Sequence, residues 1–497
     1  SNILTYQTKI KKKHNLDLLV GYEINSKESD GLGTTISNFA RWDKPEVNNG
    51  VVYQSMGGSN STTRIVSYIT RANYDYDNKY YLGASWRTDG SSRLARENRW
   101  GNFWSLSGAW RVSSESFMKP LQNWLSDLKL RVSYGVNGTL PSSYYGYMGL
   151  SSLTSNYNDN PGITQSQLEN KELTWETNYN FNSGIDLGFF DNRLNVTFEY
   201  YVRTTKNLLY SRPLSLATGF SSYLANIGKL QNKGYELEIR STNIETKDFR
   251  WSTSLNLGHN ANKILKLDGD LKQVTSGTSI HKVGLPYSTY YMIEFAGIDP
   301  VDGEPMFYKN TTDENGNLNK ETTKDPRSAE KVILQCADPT ITGGLGNSIS
   351  YKWFDLNFNV NFSFGAWNYD GAAGKLEHGG DGTLNIPIYY RKRWQKEGDE
   401  TSIERFVVGR SISMTDYATT RRLYSGDYVR LKNLTFGFTL PKTWTRKVGI
   451  DNIRLYASGN NLLTWAAYDY IDPESGSSPS WDTPPMRTYT FGLEVKF

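Results

Sequence analysis

Apolar and polar residues alternate along this chain. Phe354 to Phe364 reads Phe-Asp-Leu-Asn-Phe-Asn-Val-Asn-Phe-Ser-Phe, apolar at every even position and polar at every odd one. Successive side chains of a strand point to opposite faces, so this segment has one apolar face and one wet face. The pattern recurs at 194–202, where Leu194, Val196, Phe198, Tyr200 and Val202 oppose Asn195, Thr197, Glu199 and Tyr201. It recurs at 128–136, with Lys129, Arg131 and Ser133 on the wet side, at 16–24 and at 235–239. Runs of about ten residues have the length a tilted strand needs to cross a bilayer.

The connections alternate as well. Asp191-Asn192-Arg193, Tyr351-Lys352-Trp353 and Tyr76-Asp77-Asn78-Lys79 read as tight turns. Between such hairpins lie long polar loops at 27–61, 89–101, 137–171, 206–231, 261–285, 311–339, 366–425 and 462–486. Short turns at one end and long loops at the other are the arrangement of an outer-membrane barrel. The pattern therefore predicts an all-β fold, an antiparallel transmembrane β-barrel. Keeping up–down parity requires a short strand at 304–309 and gives about 17 strands. Single-chain bacterial barrels have even strand counts, and large plugged transporters have about 22. The expectation is that 1–497 is one domain, the C-terminal part of such a barrel. On this reading the first strands, the plug and the signal peptide lie outside it.

Composition narrows the chemistry. The 497 residues carry 55 Lys and Arg against 51 Asp and Glu, a net charge of +4 that argues for no nucleic-acid partner. Mean hydropathy is −0.59, and no run approaches the roughly 18 apolar residues of a membrane helix. One cysteine, Cys336, and four scattered histidines exclude a disulfide scaffold and a cysteine-rich metal site. There is no phosphate loop, no nucleophile elbow and no His-Glu-x-x-His. The reading is of no enzyme, no cofactor and no metal. Asp313-Glu-Asn315-Gly-Asn317 hints at a calcium loop, but Leu318 stands where such a loop needs glycine, so a turn is expected. Glu199, Glu236 and Glu238 alternate with Lys129, Arg203 and Arg240, as in a solvated wall rather than an acid–base pair. Gly83, Gly108, Gly135 and Gly437 are read as relieving crowding within strands.

The aromatic residues suggest where binding occurs. The 366–425 loop carries Trp367, Tyr369, His378, Tyr389, Tyr390 and Trp394 among glycines that include Gly379, Gly380 and Gly382. The 137–171 loop carries Tyr144, Tyr145, Tyr147 and Tyr157. Aromatic faces stack on the C–H surface of sugar rings, and nearby Asn and Asp can bind hydroxyls. Aromatics also form the belts at membrane interfaces. Tyr144, Tyr145, Trp367 and Tyr369 are the candidate substrate contacts. Asp89 and Arg93, at a strand top, are candidate rim residues that fix a loop or meet a ligand or partner.

Taken in order, several blocks resemble the SusC/RagA family of TonB-dependent outer-membrane transporters. They include Asp89-Gly-Ser-Ser-Arg93, followed by Leu94 where the family usually has Phe, then Asn98-Arg-Trp-Gly101 and Ser107-Gly-Ala-Trp110. Ser133-Tyr-Gly-Val-Asn-Gly138, Thr204-Thr205-Lys206-Asn207-Leu208-Leu209 and Asn232-Lys-Gly-Tyr-Glu236 follow. Ala296-Gly-Ile-Asp-Pro300, Tyr428-Val-Arg-Leu-Lys-Asn-Leu-Thr435 and Asn460-Asn461-Leu462 complete the series. Phe497, after Tyr489, Phe491, Leu493 and Val495 on one face, resembles the terminal aromatic read by the outer-membrane assembly machinery. The resemblance implies a multi-pass barrel in the Gram-negative outer membrane, bounded by phospholipid and lipopolysaccharide. It implies a plug pulled by TonB and a SusD-like surface lipoprotein as a lid, with Asp89 and Arg93 near where the lid docks. The implied cargo is an oligosaccharide; an oligopeptide is the alternative, as is a docking barrel without transport.

Overall fold

A computed structural model describes residues 1–497 except 268, 270, 315, 381–384, 410–416, 469, 476–482 and 484. Gly382 and Asn315 lie outside the described residues. Among the described residues, fifteen strands form one antiparallel sheet, each beside its neighbour in chain order. They are β1 (Asn2–Ile10), β2 (His14–Phe39), β3 (Gly50–Tyr76), β4 (Tyr80–Ser91) and β5 (Trp100–Arg111). Next come β6 (Leu125–Thr139), β7 (Glu176–Phe189), β8 (Leu194–Lys206), β9 (Lys229–Glu245) and β10 (Phe249–Lys266). The last are β11 (Ile341–Tyr351), β12 (Phe354–Phe364), β13 (Tyr428–Thr439), β14 (Asn452–Ala466) and β15 (Thr488–Lys496).

Register places the apolar sets on one face. Leu4 pairs with Val20, Tyr6 with Leu18, Tyr22 with Tyr68 and Ile24 with Val66. Leu356 pairs with Phe436, and Phe358 with Leu434. A slip of one residue would turn every such side chain to the wrong face. Val20, Leu82, Leu106, Val132 and Phe198 stand exposed there, an apolar surface too continuous for water. No helix among the described residues is long and apolar enough to cross a membrane.

Aromatic rings gather at two levels. Tyr80 lies 6.4 Å from Tyr76 and 6.4 Å from Trp110, beside the short turns. Tyr68 lies 5.2 Å from Tyr22 and 6.2 Å from Trp100, toward the long loops. Farther along, Phe249 and Tyr351 meet at 6.5 Å, and Tyr235 and His259 at 4.8 Å. Ten residues of β10 separate Phe249 from His259. At about 3.3 Å per residue and a tilt of about 40°, they rise about 25 Å, the height of the apolar band between aromatic girdles.

The short turns are hairpin turns. Asp77 and Asn78 both hold φ +54°, as a type I′ turn requires, and Lys79 N–H donates to the Tyr76 carbonyl at 2.9 Å. Asp191 and Asn192 are likewise left-handed.

Two expectations are corrected. The 27–61 loop is largely a paired ribbon: β2 and β3 stay in register from His14–Tyr76 to Phe39–Gly50, with one irregularity at Thr35 and Ile36. Alternation stops where lipid stops; backbone pairing in water does not need it. The second correction is the strand count, fifteen in the sheet against about 17. The 304–309 segment forms only Pro305–Tyr308, which pairs with Phe295–Ile298 and Thr322–Thr323 in a separate three-stranded sheet. Four residues cannot cross a bilayer. The whole of 267–340 is one insertion between β10 and β11, and removing two crossings together leaves the up–down parity intact.

Contacts group the chain into two compact units. The first, 1–114 with 130–183 and 203–230, has a core of Leu94, Phe103, Val136, Leu173 and Trp175. Trp175 sits edge-on to Phe103 at 5.2 Å and donates its indole N–H to the Arg99 carbonyl at 3.0 Å. Leu94, the departure from the family block, is fully buried in that core. The second unit, 115–129 with 184–202 and 231–497, carries a smaller cluster of Ile293 and Phe307 with Phe295, Ala329 and Tyr417.

The face assignment is testable in lipid. Phe198→Arg should destabilise the full-length protein by about 2–4 kcal/mol in urea titrations from liposomes. Thr197→Arg, on the opposite face beside Asp186, should cost less than about 1 kcal/mol.

Candidate functional site

The first unit's rim is built where β4 ends. Asp89 is buried, and both its oxygens accept from Arg87 Nε, at 2.7 and 2.8 Å. Arg87 Nη2 donates to Ser67 Oγ at 3.0 Å. Arg93 does not pair with Asp89. It donates to Thr63 Oγ1 at 3.3 Å and to the Pro141 carbonyl at 3.0 Å, and its guanidinium lies 4.4 Å from the Tyr144 ring centre. Tyr145 Oη accepts from Thr62 N–H at 2.9 Å, and its ring stands edge-on to Tyr144 at 6.5 Å. Arg93, Tyr144 and Tyr145 thus come together at one rim, while Trp367 and Tyr369 belong to the other unit.

In the second unit, Trp367–Tyr369 pairs with Leu423–Ser425 and closes the base of the 365–427 loop. Asp370 Oδ1 accepts from Ala373 N–H at 2.7 Å and caps a short helix, Gly371–Leu376. Beyond it lies a buried ionic cluster. Glu404 is 0% exposed; Arg421 Nη1 donates to its Oε2, and Tyr390 Oη donates to its Oε1 at 3.0 Å. Arg422 Nε donates to Glu377 Oε2 at 3.3 Å, and Tyr389 Oη to Glu377 Oε1 at 2.5 Å. Gly379 is left-handed, and a Cβ there would come within 2.8 Å of Glu404 Oε1. Burial works against the Arg421 charge, but Glu404 and Glu377 outweigh it and hold the guanidinium protonated. Burial first, then the adjoining carboxylates, push the Tyr389 and Tyr390 phenols well above their ordinary value, so they remain donors.

Against this cluster stands a row of tyrosines, of which the sequence reading noted only Tyr389. Tyr424 stacks on Tyr468 at 3.7 Å, and Tyr470 lies 5.3 Å from both Tyr468 and Tyr389. Tyr468 Oη donates to Asp370 Oδ2 at 3.2 Å. Tyr470, 70% exposed, ends the row as an open ring face. Its loop is tied to the wall by Arg430, which donates to Asp472 at 2.6 Å, Glu474 at 2.8 Å and Thr464 at 3.0 Å. Three segments distant in sequence supply these rings; only the Tyr468-Asp-Tyr470 repeat could have flagged them. Tyr369 pairs with Leu423, its phenol pushed up chiefly by burial, beside Arg422.

The Asp299–Gly303 turn is closed by a lysine. Lys324 Nζ reaches Asp299 Oδ2 at 2.6 Å and Asp302 Oδ2 at 2.7 Å, and its hydrogen bonds hold both carboxyls below their ordinary value. Asp313 accepts from Asn317 N–H at 2.7 Å in a turn of its own. Among the described residues no group of three or more His, Cys, Asp or Glu is placed to hold a metal ion.

A sheet with one lipid-ready face, aromatic girdles, tight turns at one end and structured loops at the other defines a membrane β-barrel protein. Residues 2–462 match the family model described as TonB dependent receptor-like, beta-barrel, and the chain belongs to that family. It is 34% identical to TonB-dependent receptor P3 of Formosa agariphila over all of this chain and 52% of that protein. It is 30% identical to TonB-dependent receptor SusC of Bacteroides thetaiotaomicron over 87% of this chain and 44% of that one. The RagAB peptide transporter structure superposes with a TM-score of 0.85 at 29% identity, over the whole chain and 55% of the other. The chain is thus of the SusC/RagA type, and these relatives are receptors and transporters, not enzymes. It spans about half the length of the curated relatives it matches.

Two outcomes follow from this geometry. Arg421→Ala leaves the Glu404 carboxylate buried without its cation, at a cost of about 3–5 kcal/mol. Protease cleavage within 365–427 should rise sharply in that variant while the sheet's melting stays unchanged, and Arg421→Met with Glu404→Leu should restore protection. The Asp299 and Asp302 carboxyls have depressed values in the folded turn. Their contribution is full above the ordinary Asp value of about 3.9 and is lost as pH falls through the depressed one. Lys324→Ala should move that loss to higher pH, read as amide exchange of Val301 and Glu304, corrected for intrinsic rates.

Proposed function

We propose that this chain forms most of the barrel wall and loops of a TonB-dependent importer in the Gram-negative outer membrane. The observation that carries the reading is the match of the whole chain, wall and loops together, to a SusC/RagA-type transporter at a TM-score of 0.85. A polar lumen this wide would leak without a plug, and no ATP is available outside the inner membrane. TonB therefore drives the cycle by displacing a plug supplied by the rest of the protein. A SusD-like surface lipoprotein covers the loops as a lid, and Asp89 and Arg93 brace the rim it meets. Lipid and lipopolysaccharide surround the apolar face.

The proposed cargo is an oligosaccharide. Support comes from the exposed Tyr470 face with Asp370 and Glu377 behind its neighbours, a pairing suited to sugar C–H faces and hydroxyls. Tyr144, Tyr145, Trp367 and Tyr369 are proposed as flanking contacts. An oligopeptide is the second reading, favoured by the structural likeness to the RagAB peptide transporter.

Cells expressing the full-length protein with its lipoprotein should accumulate labelled oligosaccharide. Accumulation should cease when TonB is deleted or the proton gradient collapsed. Tyr470→Ala should raise the half-saturating concentration about five- to tenfold, as expected for a lost stacking contact of about 1 kcal/mol. Accumulation independent of TonB would overturn the importer reading.

A further inference from the structure

The wet face of the second unit differs from that of the first. In the first unit it carries Asp17, Glu23, Arg71, Arg87 and Asp89. In the second, Asp186, Glu199, Glu236, Glu238 and Arg240 charge β7 to β9, whereas β10 to β14 have charged borders and an uncharged field between them. At the short-turn border, Arg454 grips Asp355 through two hydrogen bonds, at 3.2 and 2.7 Å, passing over Gly437. At the loop border, Arg430 and Lys432 are tied to Asp472 and Glu474. Between them, the wet faces of β10 to β14 present hydroxyls, carboxamides and glycines, with no Asp, Glu, Lys or Arg at 252–262, 342–350, 357–363, 433–437 or 456–460.

Part of this field is satisfied internally. Asn433 Nδ2 donates to Asn460 Oδ1 at 3.0 Å, and Asn460 Nδ2 to Thr488 Oγ1 at 3.0 Å. Three carboxamides on β10 and β12 are not. Among the described residues, the side chains of Asn256, Asn359 and Asn361 make no hydrogen bond to the chain, and they line a cavity of about 370 Å³. Glycine opens it. A Cβ at Gly346 would lie 2.7 Å from Ser254 Oγ and 2.8 Å from Asn359 Oδ1, and one at Gly344 would lie 2.9 Å from Asn256 Oδ1. Glu238 and Arg240 also line the cavity, and they are paired with each other at 2.5 Å.

We infer that this hollow is a binding subsite for uncharged, multiply hydroxylated cargo, a neutral oligosaccharide segment. The inference rests on the importer reading and deepens it. Each carboxamide offers two donors and one acceptor, which suits adjacent hydroxyls that both donate and accept. Arg240, Arg430, Lys432 and Arg454 each already hold a carboxylate. An anionic sugar or a peptide terminus entering the hollow would therefore lose hydration without gaining an ion pair.

The test uses the full-length protein with its lipoprotein in cells, probed with labelled maltoheptaose, a uronate heptasaccharide and an alanine heptapeptide. Folded protein in the outer membrane is quantified by heat-modifiable gel mobility. Asn359→Leu with Asn361→Leu, and separately Gly346→Val, should raise the half-saturating maltoheptaose concentration about tenfold, the loss of one or two neutral hydrogen bonds. Maximal rate and uptake of the other probes should stay within twofold. Unchanged maltoheptaose uptake in both variants overturns the inference, as does an equal loss for all three probes, which would mark a seat for the plug. Wild-type uptake of the heptapeptide but neither sugar also overturns it while sustaining an importer. TonB-independent behaviour of every probe would sink the importer reading itself.

Discussion

In hydrocarbon no water stands ready to bond a backbone N–H or C=O, so every strand that crosses lipid must be paired along its length. The fifteen-stranded sheet is built around that requirement. It explains why the strands follow one another in chain order, since each hairpin satisfies its own second strand at once. It also explains why the tightest chemistry sits in the short turns. Asp77 and Asn78 hold left-handed backbone so that pairing continues to the last residue before the chain reverses. Departures from the requirement occur only where the chain has left the lipid. Pro305–Tyr308 and its partners can be short because they form a small sheet of their own, apart from the fifteen-stranded wall.

The loops carry a different constraint. Outside the membrane nothing forces pairing, so each loop needs its own reason to hold one shape. In the first unit that reason is apolar: Leu94, Phe103 and Trp175 form a small core, with Arg93 reaching over it to Thr63 and Pro141. In the second it is ionic. Glu377, Glu404, Arg421 and Arg422 are buried together and joined to two tyrosines, an arrangement that tolerates the loss of the whole set better than the loss of one member. Such a cluster specifies a loop's shape more than it stabilises it, and it fixes the ring faces that stand against it.

The wet face of the second unit answers to neither constraint. Across β10 to β14 its charges are paired at the borders and absent between them, so that stretch of wall attracts neither sign of ion strongly. That neutrality follows from side-chain choices at alternate positions of strands whose other face is fixed by lipid. The two faces are independent variables of one sequence: one is constrained by the bilayer, the other free to suit a cargo.

Much of this was written in the sequence. The alternation at 354–364 and 194–202 marked the lipid face, and the strand bounds at Phe354–Phe364 followed directly, because solvent contrast repeats with a period of two. The tight turns at 77–78 and 191–192 were legible from Asp and Asn. The ribbon from β2 to β3 was not, because both its faces meet water above the membrane and no contrast marks them. Nor was the separate sheet around Pro305–Tyr308, whose few residues read like a short strand of the wall. The tyrosine row was invisible for another reason. Tyr389, Tyr424, Tyr468 and Tyr470 lie on three segments, and no local pattern records that a buried salt bridge and a capped helix bring them together. Sequence periodicity determined which face meets lipid; only tertiary packing decided which loop residues meet one another.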